Sequence, residues 1–351
     1  MDGRERILAA LDGHTPDRVP RALSFYHMDA ASLAPPGAWR DDAVDVDFVD
    51  FPVSDEEAEL DRRATPYEGD TRIGNASQVA RYAAWGYHPE AERDGNPLER
   101  AETLADLVRF PFPDAGGTRV VESLAQQVRD IHARGLAAGG NTPHLGGELF
   151  EAAWRLRGLE RFLIDLVDRK DMAAFLLDRL AELARRNAVT LAIAGVDVLA
   201  LDDDVGMPGT MMIGPSTWRE FFRPRLAGII DAARAAKPDI RVIYHSDGHI
   251  EPILDDLVEL GVAAINPVQP EHMDAVRIRR RYGTRLALWG TVGRQTTFAF
   301  ASPAEIRAEV RSRVETLGPG GLILCPAYDI DEPDVPWANI AAFLDEDAGR
   351  G

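Results

Sequence analysis

The sharpest chemical pattern in this sequence is a histidine and an aspartate two residues apart, followed much later by the single cysteine. His245 and Asp247 follow the apolar run IRVIY, and Cys325 ends the run GLILC. Alternate residues of an extended segment project to the same side, so His245 and Asp247 can reach one centre. Imidazole, carboxylate and thiolate are common zinc ligands, and a catalytic zinc site needs three of them plus an open position. The pattern is also compatible with Cys325 as a small buried hydrophobe and His245 as a hydrogen-bonded structural residue.

Three consecutive aspartates, Asp202, Asp203 and Asp204, follow another apolar run, VDVLAL. Three adjacent carboxylates cannot all point inward, so at most one or two of them serve a site. A carboxylate placed there can act as a general base, orient a histidine or hold a substrate cation. The alternative is an acidic cap on a turn, because Gly206 and Pro208 break the chain just afterwards. We treat these aspartates and His245 as candidate catalytic residues.

Further polar residues lie near the ends of predicted strands. The candidate substrate-binding residues are His27, Asn141, Gln269 and Tyr328. Glu148 and Glu151 begin a predicted helix in the segment GGELFEAAW, where interaction with the helix dipole accounts for them without any role in a site.

Short apolar runs alternate with helical stretches along the second half of the chain, as in a parallel sheet built from βα units. The predicted strands are 19–26, 136–141, 196–201, 240–245, 262–268, 285–290 and 321–326. The predicted helices are 148–157, 159–168, 171–194, 216–236, 250–259, 273–281, 303–317 and 336–346, with Ser302 as an N-cap and Gly261 as a C-terminal cap.

This order predicts an α/β protein, a (β/α)8 TIM barrel that forms a single domain over 1–351. The acidic, proline-rich segment 30–118 is interpreted as an insertion after the first strand that covers the barrel mouth, and the eighth strand has to come from it or from 70–90. In such barrels the catalytic groups lie at the C-terminal ends of the strands, where the polar residues of this sequence are found.

Composition narrows the class of protein. The chain has 351 residues, of which 45% are hydrophobic, and a formal net charge of −19. That charge argues against nucleic-acid partners and anionic membrane surfaces, which require clustered Lys and Arg. One cysteine allows no intrachain disulfide, and no apolar stretch approaches the roughly 18–20 residues of a membrane helix. We therefore expect a soluble, cytoplasmic enzyme acting on a small molecule.

Several segments, in the right order along nearly the whole chain, resemble the uroporphyrinogen decarboxylase superfamily. They are RERILAAL with PDRVP (4–20), NPLERAETLADLVRFPFPD (96–114), LFEAAWRLRGLERFLIDL (149–166), IGPSTWREFFRP (213–224), YHSDGHIEPILDDLVELGVAAINPVQP (244–270) and PDVPWANI (333–340). True uroporphyrinogen decarboxylases carry the signature Met-Arg-Gln-Ala-Gly-Arg-Tyr after the first strand. Here that place reads SFYHMDA (24–30), without arginine, and a polycarboxylate substrate would require cations.

The sequence is more similar to the zinc-dependent branch of the superfamily, which contains methylcobamide–thiol methyltransferases and the methyltransferase components of O-demethylases. Their zinc motif is His-x-Cys followed by a distant Cys, and His245 and Cys325 match it while Asp247 replaces the nearer Cys. Some members add a glutamate from the helix matched by LFEAAW, which implies Glu151 as a ligand. The resemblance thus implies Zn2+ held by His245, Cys325 and Asp247 or Glu151, a corrinoid carried by a partner protein, and a homodimer.

Two chemistries follow from these observations. The first is a zinc-dependent methyl or alkyl transfer, in which an aspartate from 202–204 orients the substrate or moves its proton. The second is a metal-free decarboxylase or lyase on the same barrel, with His245 and the aspartates as general acid and base. A barrel that has kept its fold and become a binding protein is a third reading, because function resides in the site rather than in the fold.

Overall fold

A computed structural model describes residues 1–52, 96–113, 118–327, 330 and 335–345. Within these residues the chain forms one seven-stranded parallel sheet with its strands in sequence order, β1 to β7. The strands are β1 (Val46–Val49), β2 (Ala137–Asn141), β3 (Val198–Asp202), β4 (Arg241–His245), β5 (Ala264–Val268), β6 (Ala287–Val292) and β7 (Leu322–Pro326).

The segment around Arg21 links the two edges of this curled sheet. Arg21 forms a parallel bridge with Leu324 of β7, whose N–H donates to the Pro20 carbonyl at 2.9 Å. On the other side the N–H of Asp45, just before β1, donates to the carbonyl of Arg21 at 2.9 Å. The buried Asp45 carboxylate fixes this junction by accepting from the Arg21 N–H at 2.8 Å and from Arg18 at 2.7 Å. The sheet therefore curls into a barrel-like ring.

Helices follow the strands in the order expected for βα units. They are α1 (Gly3–Leu11), α2 (Leu104–Val108), α3 (Thr118–Ala133), α4 (Phe150–Arg157), α5 (Leu159–Asp168), α6 (Lys170–Ala194), α7 (Pro215–Phe221), α8 (Arg223–Ala236), α9 (Leu254–Glu259), α10 (Ala275–Tyr282), α11 (Pro303–Leu317) and α12 (Trp337–Asp345). None of the described helices combines the length and the apolar composition needed to cross a bilayer.

Alternate strand residues fill the interior of the ring. This cluster contains Val46, Phe48, Ala137, Val198, Ala200, Ile243, Ala264, Ala287, Trp289, Ile323 and Cys325, joined by Ile7, Ala10 and Leu11 of α1 and by Ala22 and Phe25. The period of two follows from the alternation of side chains across a strand. A Cβ on Gly139 would lie 2.4 Å from the Phe48 ring, so glycine is required where that ring packs. Because hydrophobic side chains fill the interior, we expect reactive groups at the ends of the strands.

Six of the seven predicted strands are confirmed to within two residues at each end. The predicted strand 19–26 is wrong in extent, because only Arg21 pairs with a neighbour and the chain then turns into the barrel mouth. Strand β1 comes from within the predicted insertion 30–118, and the alternative at 70–90 lies outside the described residues. The ring thus holds seven strands and one bridging residue in the described part of the chain, where the sequence predicts eight strands.

The predicted helices are largely confirmed, and their caps follow the expected chemistry. Ser302 caps α11 through a capping box with Glu305, and Gly261 has φ +76° after α9. The predicted helix 216–236 is two helices, α7 and α8, divided at Phe222. Pro224 explains the division, because it has no N–H to donate to the preceding turn.

Candidate functional site

The site lies where three neighbouring strands end. The register pairs Asp202 of β3 with His245 of β4, and His245 with Asn266 of β5. Three side chains with ligand or acid–base chemistry are therefore adjacent at the C-terminal edge of the sheet, and all three residues are buried. The parallel arrangement brings them together although they are far apart in sequence.

Asp202, Asp204 and His245 form a compact group. The Nε2 of His245 lies 3.9 Å from Oδ1 of Asp202 and 3.6 Å from Oδ1 of Asp204. One oxygen or nitrogen from each residue lies within 4.8 Å of the others, as required of side chains that share one metal ion. In the part of the chain that the structure describes, no other three His, Cys, Asp or Glu residues meet this condition.

The imidazole of His245 is held on its other side. Its Nδ1 lies 2.6 Å from Oδ1 of Asn266. The ring also stacks on Phe25, with the two centroids 3.7 Å apart and the planes 16° from parallel. These contacts fix the ring so that Nε2 faces the two aspartates.

Asp203 points away from this group and caps a helix. Its carboxylate accepts from the N–H of Phe150 at 2.7 Å and from that of Glu151 at 3.1 Å, both in the first turn of α4. Burial raises the pKa of Asp203 to about 8, although these N–H groups act in the opposite direction. The side chain of Asp203 therefore serves the N-terminus of α4, while Asp202 and Asp204 serve the site, in keeping with the alternation along an extended segment.

Glu148 supports the backbone beneath the group. Its carboxylate accepts from the Thr142 hydroxyl at 2.8 Å and from the backbone N–H of Asp202. Burial raises the pKa of Glu148 well above its usual range. Glu148 thus connects the loop after β2 to the end of β3.

The carboxylates are crowded enough to perturb one another. Burial, and then the charge of Asp204, raise the pKa of Asp202 well above its usual range. Burial, and then Asp204 again, raise the pKa of Glu151 to about 7, although Glu151 also pairs with Arg155 at 3.1 Å. Like charges in a desolvated space are costly unless a proton or a cation neutralises them.

The residues present fit a bound cation. Oδ1 of Asp202 is buried and has no hydrogen-bond partner in the described part of the chain, although buried polar atoms are nearly always satisfied. Two carboxylates and one imidazole are also the number of protein ligands found in catalytic zinc sites. His144 lies on the other side of Asp202, with its Nε2 2.8 Å from Oδ1 of Asn141 and 3.6 Å from Oδ2 of Asp202.

The other residues predicted as metal ligands lie outside the group of three. Asp247 accepts from Nε2 of Gln269 at 3.0 Å, and its backbone N–H donates to Asp204 at 2.6 Å. Cys325 is 1% exposed and packs within the barrel interior. Glu151 stands beside Asp204 at the start of α4. Of the four predicted ligands, the structure brings only His245 into the group.

The predicted substrate-binding residues fall in different places. Asn141 contacts His144 beside Asp202. Gln269 stabilises the loop after β4, because its Oε1 accepts from the Gly248 N–H at 2.6 Å. Nδ1 of His27 lies 3.0 Å from the Phe48 carbonyl oxygen, and His27 lines a separate cavity of about 290 Å³ with Trp39. Tyr328 lies outside the described residues.

Sequence reasoning missed Asn266 and Phe25 as contacts of His245. Asn266 stands in an otherwise apolar strand, AINPV, and the register places it beside His245. A polar residue within a buried strand was the available signal, because such a residue requires a hydrogen-bond partner. Nothing in the sequence distinguishes Phe25 from other core aromatics.

A family model matches more than half of the chain. The model of the family described as uroporphyrinogen decarboxylase (URO-D) matches residues 150–347. Two curated relatives, both methylcobamide:CoM methyltransferase MtaA, come from Methanosarcina barkeri and from its strain Fusaro / DSM 804. They are 27% and 26% identical over 190 residues, which are 54% of this chain and 52% of each relative. The chain thus spans about half the length of the curated relatives it matches.

A solved structure extends the likeness in fold to nearly the whole chain. It is a methyltransferase from Methanosarcina mazei, with a TM-score of 0.64 at 20% identity, and the match covers 98% of this chain and 97% of that one. At this level of identity the likeness establishes the shared fold.

Proposed function

The chain belongs to the uroporphyrinogen decarboxylase family, and on that premise we propose that it is a metal-dependent methyltransferase. It would take a methyl group from a methylcobamide bound to a partner corrinoid protein and pass it to a small-molecule acceptor. The observation that carries the proposal is the group formed by Asp202, Asp204 and His245, with the orphaned Oδ1 of Asp202 facing it. The names of the curated relatives support the methyl donor and a thiol acceptor.

Asp202, Asp204 and His245 would hold the ion, for which we propose Zn2+. When bound, it supplies Lewis acidity at the heteroatom of the acceptor. Two carboxylates make a harder ligand set than two thiolates, so oxygen acceptors as well as thiols fit this site. Cys325, Asp247 and Glu151 remain predicted ligands, which the variants below test separately.

The protein's own groups handle the proton of the acceptor. The new carbon–heteroatom bond forms with the acceptor's electron pair, while the pair of the broken cobalt–carbon bond stays on cobalt and reduces Co(III) to Co(I). The acceptor's proton must leave for a base. The Glu151 carboxylate lies beside Asp204 at the edge of the group, where it can accept this proton.

Metal analysis and methyl transfer together test the proposal. Purified wild-type protein should contain about one metal ion per chain. It should convert methylcobalamin to cob(I)alamin, followed by absorbance, when 2-mercaptoethanesulfonate or another thiol is added. Asp202→Asn and His245→Gln should lose both properties, whereas the exposed control Asp168→Asn should keep them. Protein without stoichiometric metal that leaves methylcobalamin unchanged would refute the proposal.

Cys325→Ala decides between the two ligand sets. If Asp202, Asp204 and His245 suffice, this variant keeps its metal, and the lost core packing lowers its stability by about 1 kcal/mol. Loss of the metal in a folded Cys325→Ala protein would instead support the thiolate ligand that the family motif implies. Asp247→Asn and Glu151→Gln, analysed in the same way, test the remaining two ligands.

A metal-free decarboxylase or lyase is the second candidate. It is favoured by Asp202, a buried carboxylate that retains its proton more readily than usual, next to the imidazole of His245. Such a pair can act as general acid and base without a metal. Release of CO2 from a carboxylated substrate that persists after chelation would favour this candidate.

A further inference from the structure

Asn266 lies behind the site, in a position where it controls one nitrogen of His245. It is 2% exposed within β5, and its backbone carbonyl accepts from the Ser246 N–H at 2.9 Å. Its side-chain Oδ1 lies 2.6 Å from Nδ1 of His245. The backbone and the side chain of Asn266 thus contact consecutive residues at the end of β4, which leaves the amide little freedom to move.

An amide oxygen only accepts hydrogen bonds, so the Nδ1 of His245 must carry the hydrogen. In the neutral ring the lone pair then lies on Nε2, which faces Asp204 at 3.6 Å and Asp202 at 3.9 Å. A histidine coordinates a metal through an unprotonated nitrogen. The stacked Phe25 ring fixes the plane of the imidazole but does not choose between its tautomers. That choice falls to Asn266.

We propose that Asn266 is a positioning residue that keeps His245 in the Nδ1–H tautomer and so keeps Nε2 ready to bind a metal ion. The inference rests on the proposed metal site. The partner is a neutral amide, and this suits a site that already holds the carboxylates of Asp202 and Asp204, with Glu151 beside them. A carboxylate there would make the imidazole more basic and add another like charge.

Two substitutions and a matched control separate this role from a structural one. Asn266→Leu removes the acceptor at nearly the same volume, and Asn266→Asp keeps an acceptor oxygen. Asn339→Leu serves as the control. Asn339 is also a 2% exposed amide, but its Nδ2 donates to the carbonyls of Phe298 and Ala301 at 2.8 Å.

Metal affinity is measured by titrating chelator-treated protein with Zn2+. Asn266→Leu should bind Zn2+ roughly 10- to 100-fold more weakly, which is the usual effect of losing such a partner. Asn266→Asp should keep the affinity or increase it. Asn339→Leu should unfold at a lower temperature and bind Zn2+ like the wild type. Equal losses in Asn266→Leu and Asn266→Asp would overturn the proposal, as would unchanged affinity in both.

The tautomer is read directly from metal-free protein labelled with 15N-histidine, at a pH where the ring is neutral. The His245 signals are assigned by their loss in His245→Gln. The wild-type ring should show a protonated Nδ1 and an unprotonated Nε2, and Asn266→Leu should shift the balance towards Nε2–H. A wild-type ring protonated at Nε2 would overturn the inference. This measurement requires neither metal nor methyl transfer, so it stands even if the proposed function fails.

Discussion

Glu151→Gln tests the electrostatic description of the site most directly. Glu151 is 8% exposed at the start of α4, next to Asp204, and its carboxylate pairs with Arg155 at 3.1 Å. Replacing the carboxylate by an amide keeps the shape of the side chain and removes one of the crowded negative charges. In metal-free protein we expect this change to stabilise the fold above neutral pH and to have little effect in acid.

The magnitude follows from the pKa. Burial, and then Asp204, raise the pKa of Glu151 from 4.5 to about 7, which corresponds to about 3 kcal/mol. Below pH 4.5 the carboxyl is protonated in both the folded and the unfolded chain, so it costs nothing. As the pH rises from 4.5 through about 7, the unfolded chain loses this proton while the folded chain retains it, and stability falls by the full amount.

The pKa of about 7 already includes the favourable pair with Arg155, so that pair is not subtracted again. The substitution should therefore stabilise the fold by about 3 kcal/mol above pH 7. For a chain of 351 residues this corresponds to a rise in Tm of about 4 °C. A bound cation would neutralise the same repulsion, so the difference should shrink when Zn2+ is added.

Thermal unfolding of chelated wild type and Glu151→Gln, measured between pH 4 and pH 8, provides the assay. The two Tm curves should meet near pH 4.5 and separate by about 4 °C above pH 7. Glu160→Gln removes the same charge from an exposed position in the first turn of α5 and should follow the wild-type curve. Parallel curves for wild type and Glu151→Gln over this range would refute the description of a repulsive carboxylate cluster.

Three further predictions concern the fold around the site. Thr291, at the end of β6, has φ +75°, which is strained for a β-branched residue, and its buried hydroxyl has no hydrogen-bond partner in the described part of the chain. We expect relief of these two costs to outweigh the lost methyl packing and the greater chain entropy of glycine, so Thr291→Gly should stabilise the protein by up to about 1 kcal/mol. Lower stability in urea denaturation would contradict this. The buried guanidinium of Arg157 lies 2.7 Å from the carboxylate of Asp165. Asp165→Ala removes this charge partner and should lower the free energy of unfolding by about 3–5 kcal/mol in the same assay. A loss below about 1 kcal/mol would show that the pair contributes little. Gly139→Ala should lower the free energy of unfolding by about 1–3 kcal/mol, because its Cβ would overlap the Phe48 ring. Adding Phe48→Leu to Gly139→Ala should recover part of this loss. Additive losses in the double variant would contradict the overlap.

The sequence predicted most of the barrel because its signals are local. Alternating apolar runs and helical stretches mark β2 to β7 and the helices between them, and the caps at Ser302 and Gly261 depend only on neighbouring residues. The sequence predicted a further strand within 30–118 but did not identify Val46–Val49, because this strand has only four residues in an acidic, proline-rich segment. Its pairing with β2 is a long-range contact that a short run does not reveal.

The candidate site, like the fold, was predicted from the sequence only in part. The sequence by itself determined that His245 and the aspartates after β3 stand at the ends of parallel strands, because the order of strands and loops fixes which edge they reach. Only the tertiary structure decided that Asp202 and Asp204 face His245 while Asp203 turns back to cap α4, and that Asn266 lies behind the ring. These choices depend on strand register and on which backbone N–H groups lie nearby. Both are set by contacts between residues tens of positions apart, so the neighbouring residues in the sequence do not decide them.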